Sequence, residues 1–233
     1  MAISSFSRSG LARVVANGPA VISGSPTGTY SSGGKDYAYF TFTGNGTLVV
    51  SSGGLAEILV VGGGGGCADS DNADAGGGGG GVRFGLFDVP AGSHTVTVGA
   101  GGAGTGASTG AVLSTVGGFS AVGTVIKIGG GSRAYSRLSS LINFNPDGGG
   151  GGGGGTAVTA YSTVNAIQAG AGAGGEVFGS NRWDGLDNDY TGSTVTYGTG
   201  GEGNGAGAAN TGEGGAYRGL AGGSGVVIVR VEI

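Results

Sequence analysis

Two patterns alternate along the chain. Tyr39, Thr41 and Thr43 interleave with Phe40 and Phe42, the period-two pattern of a strand with unlike faces. Gly44-Asn45-Gly46 supplies a turn and Thr47 to Ser51 a second β-branched run, so residues 39–51 read as a β-hairpin. Residues 55–61, LAEILVV, form a short apolar run suited to a buried strand and pass directly into Gly62–Gly66. The construction returns in GGGGGGVRFGLFDV (76–89), a Pro90-Ala91-Gly92-Ser93 turn, and HTVTV (94–98) leading into GAGGAGTGAS. Further strands are predicted at 119–128, 156–167, 193–197 and 226–233. The last, VVIVRVEI, is the strongest apolar β-run and is expected to lie pinned inside a sheet. Helical spacing occurs only in 134–144, through Tyr135, Leu138, Leu141 and Ile142, enough for one short helix. Residues 1–30, rich in Ser, Ala and Gly, read as an attachment arm, and residues 31–233 as one glycine-rich β domain.

Composition changes this picture in one respect. Glycine supplies 63 of 233 residues, against an ordinary share of about 7 per cent. Four prolines and a mean hydropathy of +0.18 argue against low-complexity disorder, and the lack of a strict third-residue period excludes collagen. The predicted fold is mainly β: an antiparallel, jelly-roll-like sandwich with polyglycine-II helices or glycine-rich loops between strands. The eight glycines 148–155 frame the choice. As coil they span about 16 Å; as a three-fold extended helix they reach about 25 Å. Ordering costs about 1–2 kcal/mol per residue, so a lone run stays disordered. Runs at 62–66, 76–81, 99–106, 148–155 and 198–207 can order one another, since without Cβ atoms their backbones approach closely and exchange hydrogen bonds.

Charge removes whole classes of partner. A net charge of −4 and a pI near 4.8 offer no basic field for nucleic acid or an anionic membrane. No apolar run reaches the roughly 18 residues of a membrane span, and the first residues lack a signal-peptide core. The single cysteine, Cys67, excludes internal disulfides.

The order YFTFTGNGTLVVSSGGLAEILVVGGGGG, GGGGGGVRFGLFDVPAGSHTVTVGAGG and GGSGVVIVRV resembles the glycine-rich domain of bacteriophage tail fibres and related virion proteins, over roughly residues 37–233. The resemblance implies a β-rich virion appendage, assembled in the host cytoplasm, whose glycine helices hold receptor-contacting loops. It also implies a homotrimer and a host-surface polysaccharide or protein as receptor; residues 1–30, outside the resemblance, are expected to attach to another virion protein. A capsid decoration protein, head fibre or structural tail component is the alternative. An ice-binding glycine-helix bundle is a third reading, hinted at by GAGTGAST.

Candidate chemistry is sparse. G-x-G-x-x-G at 170–175 and 198–203 is expected by chance at this glycine content and lacks a strand-to-helix context. Asp69, Asp71 and Asp74 could offer oxygen ligands to Ca²⁺, but they do not keep the EF-hand order and turn-forming Asp and Asn explain the cluster, so no metal is expected. His94, the only histidine, belongs to an alternating strand, and Cys67 reads as a small buried residue. No enzyme and no cofactor is expected. The densest polar and aromatic segment is 176–197, where Trp183 stands among Arg182, Asp184, Asp187, Asn188, Asp189 and Tyr190. Aromatic planes among amides and carboxylates suit carbohydrate; the competing reading makes Trp183 a plug between loop and sheet or part of a subunit interface. Arg133, Tyr135 and Arg137 form a second candidate, with an ordinary packed helix as its alternative.

Overall fold

Strand propensity is concentrated in the β-branched and aromatic runs, and those runs are where strands form. The fold is taken from a computed structural model that describes residues 18–70, 76–108, 114–136, 154–155, 185–201, 205–216 and 219–233. The first strands are β1 (Val21–Ile22), β2 (Gly28–Ser32), β3 (Lys35–Phe42), β4 (Gly46–Ser52) and β5 (Gly54–Val61). Next come β6 (Ala68–Ser70), β7 (Val82–Val89), β8 (Gly92–Thr97), β9 (Thr105–Ser108), β10 (Ser120–Val122) and β11 (Ile126–Ile128). β12 (Tyr135–Ser136), β13 (Gly154–Gly155), β14 (Leu186–Asn188), β15 (Val195–Tyr197) and β16 (Val226–Glu232) complete the order. There is no helix among the described residues. Tyr135–Ser136, the described start of the segment predicted as helical, pairs in parallel with Gly154–Gly155. Residues 137–144 and the predicted strand 156–167 lie outside the described residues.

Two antiparallel sheets, ordered β2-β3-β16-β5-β7 and β1-β4-β8-β10-β11, face each other as a sandwich. Alternation sorts the side chains: Ala38 and Phe40 of β3, Ile58 and Val60 of β5, and Val227, Val229 and Val231 of β16 point inward. They meet Leu48 and Val50 of β4, Val96 of β8, and Val122 of β10 from the opposite wall. Full burial of each valine, leucine or isoleucine among them stabilises by about 1.5–3 kcal/mol relative to an exposed side chain. The C-terminal strand is central, paired with β3 on one side and β5 on the other.

The predicted hairpin at 39–51 is corrected, and so is the hairpin reading of the Pro90-Ala91-Gly92-Ser93 turn that repeats its construction. β3 and β4 lie in different sheets, as do β7 and β8, so Gly44-Asn45-Gly46 and Pro90-Ala91 arch from wall to wall. The same turn residues serve a hairpin and an arch. What separates them is that Phe40 and Leu48, or Val89 and Val96, must enter one interior, and they do so from opposite sides. Residues 18–30, assigned to the arm on sequence, carry β1 and the beginning of β2, which pair with β4 and β3.

Beyond the sandwich the chain continues as glycine runs, and these form an ordered bundle. Along residues 62–67 every amide donates: Gly62 and Gly65 to Gly81 and Gly78, Gly63 and Gly66 to Gly118 and Thr115, Gly64 and Cys67 to Gly223 and Leu220. Residues three apart therefore address the same neighbour, the signature of a helix with three residues per turn. The carbonyls accept in the same rhythm, Gly63 and Gly66 from Gly131 and Ala134, Gly64 and Cys67 from Gly102 and Thr105, Gly65 from Gly215. Three neighbours receive and three donate, so run 62–67 is the axis of a hexagonal cluster. The six outer runs also bond in a closed ring, through Gly78 to Ser132, Gly117 to Gly131, Gly118 to Ala100, Gly222 to Gly102, Gly223 to Glu213 and Gly77 to Gly215.

The ordering cost of about 1–2 kcal/mol per residue is opposed by backbone bonds of about 0.5–1.5 kcal/mol, each shared between two residues, by Cα–H···O contacts, and by the covalent continuity of the runs with sandwich strands. Glycine is required by proximity: a Cβ at Gly64 would overlap the Glu213 carbonyl, and one at Gly66 the Ala103 carbonyl. Of the octet 148–155, only Gly154–Gly155 is described, so its expected rod lies almost wholly outside the described residues.

Candidate functional site

Six of the seven runs of the hexagonal cluster are direct extensions of sandwich strands: β5 leads into 62–67, β8 into 99–105 and β11 into 129–134, while β7, β10 and β16 receive 76–81, 114–118 and 220–225. Residues 198–201, the start of the predicted run 198–207, bond to the outside of the cluster through Gly201 to Gly77, Gly214 to Thr199 and Gly198 to Thr211. Their near ends are bonded at the sandwich, Gly62 to Gly81, Gly81 to Gly129 and Gly225 to Gly99. Their far ends gather at the opposite pole, where Cys67 contacts Leu220 and Thr105, and Ala134 contacts Gly66. Ser114 closes this pole: its hydroxyl donates to Gly66 (2.6 Å) and its oxygen accepts from the Ala134 amide (2.9 Å). Every chain segment that leaves the bundle there starts from a position set by backbone bonds.

A second constellation sits on the outer face of the β16 sheet. Alternation points Val226, Ile228 and Arg230 outward, so one guanidinium lies in an apolar row with Leu59, Val61 and Val82. Its side chain is 11 % exposed. Arg230 Nε donates to Glu57 Oε2 at 2.7 Å and Nη1 to the Tyr30 hydroxyl. Its plane lies 4.2 Å from the Tyr190 ring centroid and 4.5 Å from that of Tyr37, within cation–π range. Burial alone would lower the arginine pKa, but the Glu57 and Tyr30 hydrogen bonds raise it above its ordinary value, so the group stays charged. Burial pushes the Tyr190 phenol up to about 12, with the Glu57 carboxylate acting in the same direction.

The β14–β15 hairpin closes over this row with Tyr190 and Tyr197 buried beneath it. The Asn188 side-chain oxygen accepts the Tyr190 amide at 3.0 Å, and the Gly192 amide donates to the Asp189 carbonyl at 2.9 Å. Gly192 has φ +84°, and a Cβ there would press on the Tyr30 ring. The turn is thereby seated on β2, and Arg230 fastens β14–β15 to the sandwich.

The predicted site residues fall in several places. Asn188 and Tyr190 are buried and serve the hairpin. Asp187 is held by the Thr196 hydroxyl at 2.5 Å, and exposed Asp189 stands 3.7 Å from Arg230 Nη1. Arg133 lies on run 129–134 of the bundle, and Tyr135 begins β12. Arg137, Arg182, Trp183 and Asp184 lie outside the described residues, as do Asp71 and Asp74; Asp69 is in β6, which pairs in parallel with β9. Among the described residues no group of three His, Cys, Asp or Glu could hold a metal, and no helix is long and apolar enough to cross a membrane. His94 Nε2 is 2.8 Å from the Pro90 carbonyl, at the arch. Sequence reasoning missed Arg230 and Glu57. Their signal was present: each is a charge flanked on both sides by apolar residues within a strongly apolar strand, of opposite sign to the other.

A family profile described as a glycine-rich domain matches residues 40–232. The chain belongs to this glycine-rich domain family. No curated protein matches the chain. The matched span of the glycine-rich domain begins in β3 and ends at Glu232, the last residue of β16, so it takes in all the bundle runs together with Arg230 and Glu57. It leaves out β1, β2 and the first part of β3, and with them Tyr30 and Tyr37.

Proposed function

We propose that this glycine-rich domain is a non-enzymatic bacteriophage virion protein, a tail fibre or tip adhesin whose bundle presents receptor-binding loops to the host surface. The observation that supports this most is the common pole: the segments following Cys67, Thr105 and Ala134 leave from one backbone-bonded end of the bundle, away from the sandwich. A rigid stalk made of backbone fixes the spacing of its loops while leaving their sequences free, which is what a surface binding variable receptors requires. Arg182, Trp183, Asp184 and Arg137 supply the polar and aromatic groups for a bacterial polysaccharide or surface protein, and residues 1–17 are the part left to attach to another virion protein.

The test is competition for adsorption. Purified full-length protein added to host cells is expected to block phage adsorption, and Trp183→Ala to abolish the block without changing the melting temperature. Antibody labelling is expected at the tail tip. Labelling on the capsid with no competition would replace this reading with a decoration role.

A further inference from the structure

The edge of the β16 sheet formed by β7 is open among the described residues: β7 pairs with β5 on one side and ends the strand order on the other. At eight residues it is the longest of the edge strands. Its outer-face side chains, Phe84 and Leu86, are 45 % and 61 % exposed. Proteins ordinarily blunt such an edge with charge, proline or a cover. Here Arg83 and Asp88 flank the pair, and the Tyr190 ring meets Phe84 edge-on with 6.1 Å between centroids, covering one side of that ring while it stays 45 % exposed.

The direction of the backbone groups follows from the ladder. Leu55 uses its amide and carbonyl toward Gly18 and Ala20, on the side of β5 away from β7, whereas Gly62 donates to Gly81 on the β7 side. In an antiparallel ladder these directions alternate residue by residue. Even-numbered residues of β5 therefore bond β7, and their partners in β7 are the odd-numbered Arg83, Gly85 and Phe87. Phe84 and Leu86 direct both N–H and C=O outward, where no described residue receives them.

We propose that β7 is a self-association edge and that two copies of this chain pair antiparallel through it, about a two-fold axis at Gly85. A strand edge needs another strand edge, and a second copy presents the same residues. Face parity selects the register, since a two-fold axis normal to the sheet requires paired positions to share a face. With Gly85 on the axis, Phe84 of one copy lies opposite Leu86 of the other, twice. Each of those pairs exchanges both backbone hydrogen bonds, using the four outward groups on each strand. Arg83 lies opposite Phe87 of the second copy, extending a contact it already makes within the chain, 6.0 Å from that ring. Gly85 sits at the close non-bonded crossing, where no side chain intervenes. Centring on Leu86 instead sets Phe84 against Asp88, so the Gly85 register is favoured. The result is one ten-stranded sheet across two copies, independent of any role on a virion.

Analytical ultracentrifugation of the full chain is expected to show a dimer, twice the monomer mass, and Leu86→Lys to return it to monomer with unchanged circular dichroism. The register is tested separately by oxidising Phe84→Cys and Leu86→Cys proteins. An equimolar mixture cross-links to a dimer and neither variant alone does, because Cα atoms of a hydrogen-bonded pair lie about 5.5 Å apart, within disulfide reach. A wild-type monomer, a trimer, or a dimer indifferent to Leu86→Lys would overturn the proposal. Cross-linking of either single variant alone would overturn the register.

Discussion

The sandwich and the glycine bundle are built from one continuous chain by opposite means. In the sandwich, backbones stand apart and valine, isoleucine and leucine side chains fill the space between two walls. In the bundle, side chains are withdrawn and main chains fill the space themselves, with the six amides of 62–67 each bonded to a different acceptor. Apolar area drives the first, and hydrogen-bond saturation at close approach drives the second. The two therefore tolerate opposite substitutions: the sandwich suffers when a side chain shrinks, the bundle when one appears.

The largest effect is expected at the bundle axis. Gly64→Ala places a methyl group on the Glu213 carbonyl, and relief means separating runs in a closed ring, so a loss above about 5 kcal/mol is expected, seen as insoluble or unfolded protein. Ile58→Ala in the sandwich leaves a cavity instead. A loss of about 2–5 kcal/mol is expected from urea denaturation, with the bundle amides still protected in the folded fraction. Arg230→Ala strips the partner from Glu57 and the cation from Tyr190 and Tyr37; about 3 kcal/mol is expected, with the β14–β15 amides exchanging faster than those of β16.

A smaller effect comes from pH. The Tyr190 phenol is raised to about 12, against about 10 in an unfolded chain, so the fold favours the neutral phenol. That contribution is complete below about pH 10 and is lost as pH rises toward 12. Melting temperature is expected to fall in that window, and Tyr190→Phe to weaken the fall while keeping the ring against Arg230. Smallest of all is Gly44→Ala, where a Cβ meets nothing within 4 Å; a change under about 0.5 kcal/mol is expected. A large loss there would mean that glycine matters for reasons other than close approach.

The strands were readable because alternation at Tyr39–Thr43 and the apolar run at 55–61 encode them locally. The arches were not, since Gly44-Asn45-Gly46 and Pro90-Ala91 carry the same turn chemistry whether the chain returns to its own sheet or crosses. Long glycine tracts announced runs 62–67 and 76–81. Runs 114–118, 129–134, 211–216 and 220–225 were hidden by Ser, Thr, Val, Glu and Arg, because an outer run shows part of its surface to solvent: Ser114 and Gly117 are buried while Thr115 and Val116 are exposed. At the candidate site, Tyr190 and Asn188 have the composition of a binding loop, yet they face inward because the outer face of the β16 sheet is apolar and needs a cover. Arg230 and Glu57 meet only across two strands distant in sequence, and no local window contains both.

Amide hydrogen exchange of the native chain, resolved residue by residue, tests the bundle most directly. Gly63 to Cys67 are expected to exchange as slowly as Val227 to Val229 at the centre of the sandwich, because both sets open only with the fold. Exchange of Gly63 to Cys67 at the rate of an unstructured peptide, with Val227 to Val229 still protected, would show that the glycine runs are spacers and contradict the account.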